Sequence, residues 1–247
     1  GRAGTYTSPA IVGNTVYIGS DDHRVYALDA RDGTQQWSYE TEKRIKSSPA
    51  VADGVVYIGS NDGNVYALDR NDGAKRWTFQ TGRRVWSSPA VTNDTVYVGS
   101  ADAHVYAIDK IDGDERWSSE TDRSIGMSPV VSGETVYIGD MSSTLYGLDR
   151  ADGTEQWSIN SIDLMFSSPV VTGETVYIGG AGGHVYALDE ASAGDSGPFA
   201  MLDGDTTTLV GSGIIGAVGA AGGYAAYRRH SMDETSGESA TGDSETD

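Results

Sequence analysis

Three kinds of side chain in this 247-residue chain carry reactive chemistry at suggestive spacings: four histidines, repeated carboxylate pairs and repeated serines. A metal ion needs several ligands brought to one point. His104 and His184 share one phase of a sequence repeat but stand two repeats apart, and His23 sits one position earlier in its own repeat. One ion does not take two of them, so these three read as solvated turn histidines; His230 lies outside the repeats. Asp29 and Asp32 have the look of an acid–base dyad, yet the pair recurs as Asp69/Asp72, Asp109/Asp112 and Asp149/Asp152, each beside a glycine. Carboxylates that accept their own backbone N–H groups in a turn account for all four copies. The serines of Ser8-Pro9 and its repeats have no nearby His–Asp partner, so they are not nucleophiles. The chain has no cysteine, which excludes a disulfide scaffold, a thiolate metal site and a thiol nucleophile. No catalytic set and no metal site emerges, and the chain reads as a non-enzyme.

The elements that would position these residues follow from a strict period of 40. Ser-Pro recurs at 8-9, 48-49, 88-89, 128-129 and 168-169. Val16-Tyr17-Ile18-Gly19 and Val25-Tyr26-Ala27-Leu28-Asp29 recur in phase, and Trp37, Trp77, Trp117 and Trp157 each come four residues after the glycine of an Asp-Gly pair. A period near 40 signals a propeller or a solenoid. Each repeat holds four short β-rich runs; in the first they are 9–12, 15–19, 24–29 and 34–40, here called a to d. Apolar or aromatic bulk on both faces of b and c requires cover on both faces, which four-stranded blades around an axis supply. The Gly-Asn, Asp-Gly, Asn-Asp and Gly-Glu pairs between a and b suit tight hairpins. The expected fold is all-β: a β-propeller of four-stranded antiparallel blades, with five repeats in 1–190, the last incomplete.

Ala27-x-Asp29-x-x-x-Gly33-x-x-x-Trp37 resembles the tryptophan-docking motif of pyrroloquinoline-quinone (PQQ)-like β-propellers. It repeats as Ala67/Asp69/Gly73/Trp77 and Ala107/Asp109/Gly113/Trp117, then with Gly147 for Ala ahead of Asp149/Gly153/Trp157. The resemblance implies a structural role for the four tryptophans, each packing against the neighbouring motif. It also brings PQQ-dependent dehydrogenases to mind, with calcium and quinone in a central channel and, in many, a vicinal disulfide. This chain has neither the cysteines nor a distinctive Glu/Asn/Asp set, so no cofactor is expected. Non-enzymatic members of the family include an interaction scaffold. The fifth repeat lacks its Asp-Gly and Trp. Its d strand comes either from further blades upstream, which the seven or eight blades usual in the family imply, or from 198–202 with Phe199 in the Trp role.

Composition changes after the repeats. Residues 191–208 read as a linker, and 209–227 contain no charged residue over 19 positions. As a helix of about 1.5 Å per residue that stretch would reach roughly 28 Å, close to the hydrocarbon core of a bilayer. Arg228-Arg229-His230 follows at once, then an acidic tail expected to be disordered, giving a final segment 228–247. The expectation is a single-pass transmembrane helix with the propeller outside and the tail in the cytoplasm, by the positive-inside rule. With six glycines and five alanines among the 19 residues, a flexible Gly/Ala-rich segment is the alternative.

Charge bears on partners. The formal net charge is −19, which argues against nucleic acid. Thirteen of the 17 basic residues are Arg, and an acidic, lysine-poor surface is what solubility in concentrated salt requires, so a halophilic source is expected. In an a-b-c-d meander the d-to-a links and the b-to-c turns share one face. The links 2–6, 42–46, 82–86, 122–126 and 162–166 carry seven basic residues against three acidic ones. The opposite turns carry thirteen carboxylates against Arg31, Arg70, Lys110 and Arg150. Tyr6, Lys43, Arg44, Lys46, Arg83, Arg84, Trp86, Arg123 and Phe166 therefore form a candidate rim for a protein or an anionic cell-surface ligand. The function expected is a membrane-anchored extracytoplasmic interaction or ligand-binding module; the alternatives are a fragment of a quinone dehydrogenase and the outer domain of a receptor.

Overall fold

The computed structural model describes residues 4–160, 167–173, 175–180 and 185–189, together with four short strands between 199 and 226. The first blade comprises β1 (Ala10–Val12), β2 (Thr15–Gly19), β3 (Arg24–Asp29) and β4 (Gln35–Glu40), paired antiparallel in chain order. Three blades repeat it: β5 (Ala50–Ala52) to β8 (Lys75–Gln80), β9 (Ala90–Val91) to β12 (Glu115–Glu120), and β13 (Val130–Ser132) to β16 (Glu155–Asn160). The first repeat's four expected strands are all present, with a and d each one residue shorter than expected.

Two devices join neighbouring blades. The first runs along the a strands, where Ser8, Ser48, Ser88 and Ser128 each donate their backbone N–H to the Oγ of the serine 40 residues on, at 2.8–2.9 Å. The Ser-Pro serines are thus rungs of a ladder between blades. The second device is the docked tryptophan. Trp37, Trp77 and Trp117 donate Nε1–H to the backbone oxygens of Arg70, Lys110 and Arg150 in the next blade, at 2.9, 3.1 and 3.0 Å. Beneath each ring lies the glycine of that next blade's Asp-Gly turn. A Cβ on Gly73 would stand 2.7 Å from Trp37, and Gly73 has a φ of +74°, so both space and backbone demand glycine.

Between these devices the blades bury two kinds of face. Tyr17, Val25, Ala27 and Trp37 of the first blade pack with Ile45 on Val56, Ile58, Tyr66 and Leu68 of the second. The same pattern repeats at the next two junctions. The fourth junction differs. There the fifth blade, β17 (Val170–Thr172), β18 (Thr175–Gly179) and β19 (Val185–Asp189), has Ala193 where the others have the docking glycine. Trp157 is only half-buried, and it lies on its own blade at Gly147, where a Cβ would collide with the indole. The Gly147 substitution and the missing dock therefore form one structural change.

The fifth blade finds its outer strand locally, in β20 (Phe199–Leu202), which pairs with β19; β21 (Thr207–Leu209) adds a further strand. This corrects the expectation that upstream sequence completes that blade. The register also corrects the Trp role given to Phe199: Ala200 stands opposite Ala187, where Trp37 stands opposite Ala27. In blades 1 to 4 a bulge after that pair shifts the register, and β19–β20 runs without one. The expected membrane helix over 209–227 falls largely outside the described residues; within it, β22 (Gly216–Val218) and β23 (Tyr224–Ala226) pair antiparallel. Among the described residues no helix is long and apolar enough to cross a membrane.

Candidate functional site at the link face

The d-to-a links and the b-to-c turns lie together, as the meander requires. Glu42 and Gly82 donate their link N–H groups to the Asp62 and Asp102 carboxylates of the following blade's turn, at 3.0 and 2.6 Å. Tyr66 and Tyr106 donate their hydroxyls to the same two carboxylates, at 2.8 and 2.9 Å. Burial, and then these hydrogen bonds, push both phenols well above the ordinary tyrosine range. In the fourth blade the carboxylate moves two positions back to Asp140, which is fully buried and accepts from Arg123 N, Thr144 N, Ser142 and Tyr146 Oη. The links 42–46, 82–86 and 122–126 are thus clamped, and their side chains are presented from a fixed backbone.

The clamped links sort their side chains by position. Ile45, Val85 and Ile125 are fully buried and cover the strand-end glycines Gly19, Gly59 and Gly99. In these three links the fourth position is therefore core. The second and third positions hold the exposed cations Lys43, Arg44, Arg83 and Arg84, and Arg123 is exposed in the third link. None of these five has an ion-pair partner among the described residues. The last position makes contacts between links in two separate pairs. Lys46 Nζ sits 3.5 Å above the ring of Tyr6, which is itself 74% exposed, and pairs with Asp21 at 3.0 Å. Trp86 carries the Arg84 guanidinium 4.1 Å from its ring and approaches Gly126 of the next link. Phe166, the remaining candidate, lies outside the described residues, as do His184 and His230.

A cleft of about 400 Å³ opens between the second and third of the described inter-blade links, with Arg83 and Arg123 on its walls beside Asp102 and Asp122. The opposite face is electrostatically different. There most basic side chains are engaged: Arg31 with Asp29, Arg76 with Asp69, Arg116 with Asp94 and Asp109, Arg150 with Glu134, and Lys110 with Asp53; Arg70 and Lys75 have no ion pair among the described residues. Each Asp-Gly turn carboxylate accepts backbone N–H groups two residues on, as at Asp29 to Arg31 and Asp32 to Thr34, both 2.9 Å. The Arg31 guanidinium holds Asp29 down at about 2. The supposed dyads are turn formers.

His23 is a turn residue with a φ of +73°, and His104 is the first residue of its c strand rather than part of the turn. Among the described residues no three His, Asp or Glu side chains converge on a point that could hold a metal ion. Ser47 and Ser87, ahead of the a strands, accept the strand-end N–H groups of Gly59 and Gly99. The Ser ladder and the Asp62/Asp102 clamps are functional in the structural sense, and sequence reasoning missed them. Their signal was present as strict recurrence at the phases of Ser48 and Asp62.

Residues 6–196 match the family described as beta-alanine-activating enzyme, beta-propeller. No similar sequence is found among curated proteins. Solved structures share the fold at 18% identity. BamB from Moraxella catarrhalis superposes with a TM-score of 0.67 over 84% of this chain and 73% of its own. A computationally designed protein, Ika8, gives 0.67 over 73% and 57%. Quinohemoprotein alcohol dehydrogenase ADHIIG from Pseudomonas putida HK5 gives 0.64 over 77% of this chain and 41% of the enzyme.

Proposed function

The chain belongs to the β-propeller family described as beta-alanine-activating enzyme, beta-propeller, and from that premise we propose that it works by binding, through the link face, and not by catalysis. The observation that carries this is the contrast between the two faces. Most cations on the acidic face, Arg31, Arg76, Lys110, Arg116 and Arg150, are paired with neighbouring carboxylates, whereas Lys43, Arg44, Arg83, Arg84 and Arg123 of the links are exposed without ion-pair partners among the described residues. Unpaired guanidinium groups on a rigid frame, with Trp86 and Tyr6 as aromatic anchors, fit an acidic protein surface or another polyanionic cell-surface ligand. The net charge of −19 repels such a partner from the rest of the surface, so it approaches through these exposed cations.

In this proposal the propeller is extracytoplasmic and held at the membrane by 209–227, in a cell that accumulates salt. The support is the 19-residue uncharged stretch with its basic stop and the lysine-poor acidic composition. The test is joint replacement of Arg44, Arg83, Arg84 and Trp86 by Ala, with folding checked by circular dichroism. Parent and variant are compared for proteins and glycans retained from solubilised membranes of the source cell. A partner held by the parent, released by salt and lost from the variant is expected; identical retention by both overturns the proposal.

A further inference from the structure

The last position of each link faces a b-to-c turn, and two link pairs eighty residues apart differ there in a concerted way. Lys46 reaches over the ring of Tyr6, with Nζ 3.5 Å from its centre, and Asp21 of the turn between them holds the ammonium at 3.0 Å. Eighty residues on, the aromatic is kept as Trp86, but Gly126 stands for the lysine and Ala101 for the aspartate. The backbone does not demand this glycine. Gly126 has no left-handed φ, and a Cβ there would meet one described atom within 4 Å, Trp86 Cε3 at 3.6 Å, an ordinary van der Waals contact. Arg84 lies on the same indole at 4.1 Å, and its carbonyl accepts the N–H of Ala101 at 3.0 Å. Ala101 and Ser124 line the cleft of about 400 Å³, and Ser124 Oγ donates to Ala101 O at 2.9 Å, so the cleft reaches to within two residues of Gly126. The side chains of Arg83, Arg84, Arg123 and the exposed Asp122 make no hydrogen bond or ion pair among the described residues.

We propose that this site takes a uronic acid residue of an acidic glycan, laid against Trp86 where Lys46 lies on Tyr6. The proposal rests on the reading of the link face as a binding surface and names its ligand. Lys46 and Asp21 close the first aromatic from within the chain; Gly126 and Ala101 leave the second, partly exposed, to a ligand. The electron-rich face of an indole attracts positively polarised groups, the C–H groups of a sugar ring among them. The planar carboxylate of a uronate matches the fork of a guanidinium, and Arg83, Arg84 and Arg123 supply three. The Asp122 carboxylate only accepts hydrogen bonds, and sugar hydroxyls are the donors that satisfy it. An acidic peptide brings side-chain carboxylates without those hydroxyls, so it meets Asp122 with like charge unrelieved. A glycan chain repeats its charged unit, and the neighbouring link presents Lys43 and Arg44 for a further one.

The test titrates the full chain, in a non-ionic detergent, with short oligosaccharides of galacturonan, alginate and hyaluronan, read by calorimetry and by tryptophan fluorescence. Parent protein is expected to bind at least one of the three, more weakly as salt is added, and to bind its carboxyl methyl ester about tenfold or more weakly. Trp86→Tyr, which restores the residue type of Tyr6, should hold the glycan within about threefold by calorimetry while abolishing the fluorescence change. Trp86→Ala should weaken binding by about tenfold or more. The decisive variant joins Gly126→Lys to Ala101→Asp. It rebuilds the Lys46–Asp21 cover over Trp86, adds no net charge, and is expected to keep the parent's thermal midpoint and lose the glycan. Unaltered binding by that variant, when folded, overturns the proposal. So does an oligoglutamate that binds as tightly as the best glycan, which would make the occupant an acidic peptide. Binding of none of the three glycans overturns it as well. In each of these cases the link-face reading is judged separately, by whether the joint Arg44, Arg83, Arg84 and Trp86 variant loses the partner that the parent retains from membranes.

Discussion

At the residue scale, the indole of each complete motif does three things: it covers a glycine, caps a backbone carbonyl and packs on a tyrosine of its own blade. Trp117 lies over Gly153, bonds Arg150 O at 3.0 Å and sits 5.8 Å from Tyr97. Trp117→Ala is expected to cost about 3–5 kcal/mol, read from the urea unfolding midpoint, since the ring is removed from a packed site and leaves a cavity. Trp157→Ala should cost clearly less, because that ring is half-buried and, among the described residues, docks on no glycine of the next blade. The complementary change is Gly147→Ala, which restores the residue found in the other blades. It is nonetheless expected to destabilise by about 1–3 kcal/mol, because its Cβ would enter the Trp157 indole. A thermal midpoint equal to that of the parent would show that Trp157 does not rest there.

At the element scale, the turns between c and d on the acidic face combine backbone capping with side-chain ion pairs. Hydrogen bonds from cationic neighbours hold several carboxyls below their usual range: Asp29 beside Arg31, Asp69 beside Arg76, Asp94 and Asp109 beside Arg116, and Asp53 beside Lys110. A carboxyl depressed in the folded state stabilises it above the unfolded pKa of about 4 and loses that contribution as pH falls through the folded value. The denaturation midpoint should therefore be level from pH 7 to about 5 and fall from about pH 4 towards 2. Because these pairs are largely exposed, added salt should shrink the drop. A midpoint unchanged down to about pH 2.5 would remove the turn ion pairs from the account of stability.

For the whole molecule, five exposed cations cluster in the links, which supports binding there, and burial falls towards the first and fifth blades. If 209–227 anchors the propeller outside the cell, extraction from membranes should need detergent, and protease added to intact cells should release the propeller. Recovery of the full chain in the aqueous fraction would refute the anchor. These outcomes are independent of the link-face variant, which concerns partner choice alone.

The 40-residue phase of Ser-Pro, Val-Tyr-x-Gly and Asp-Gly-x-x-x-Trp determined the blade architecture, because a repeated pattern with bulk on both faces of each strand admits few covered arrangements. It also determined that the Asp pairs are turns and that the links and b-to-c turns share a face. The bounds of the two inner strands were legible for the same reason, as at 15–19 and 24–29. Contacts between blades were not. Only the tertiary structure decided that Ser48 bonds Ser8, that Asp62 clamps Glu42, and that Ile45 is core while Arg44 beside it is free. It also placed Ala200 rather than Phe199 opposite Ala187 and turned Trp157 back onto Gly147. The first three join residues across a junction and the last two set register and side-chain position within one blade; local propensity and period encode neither.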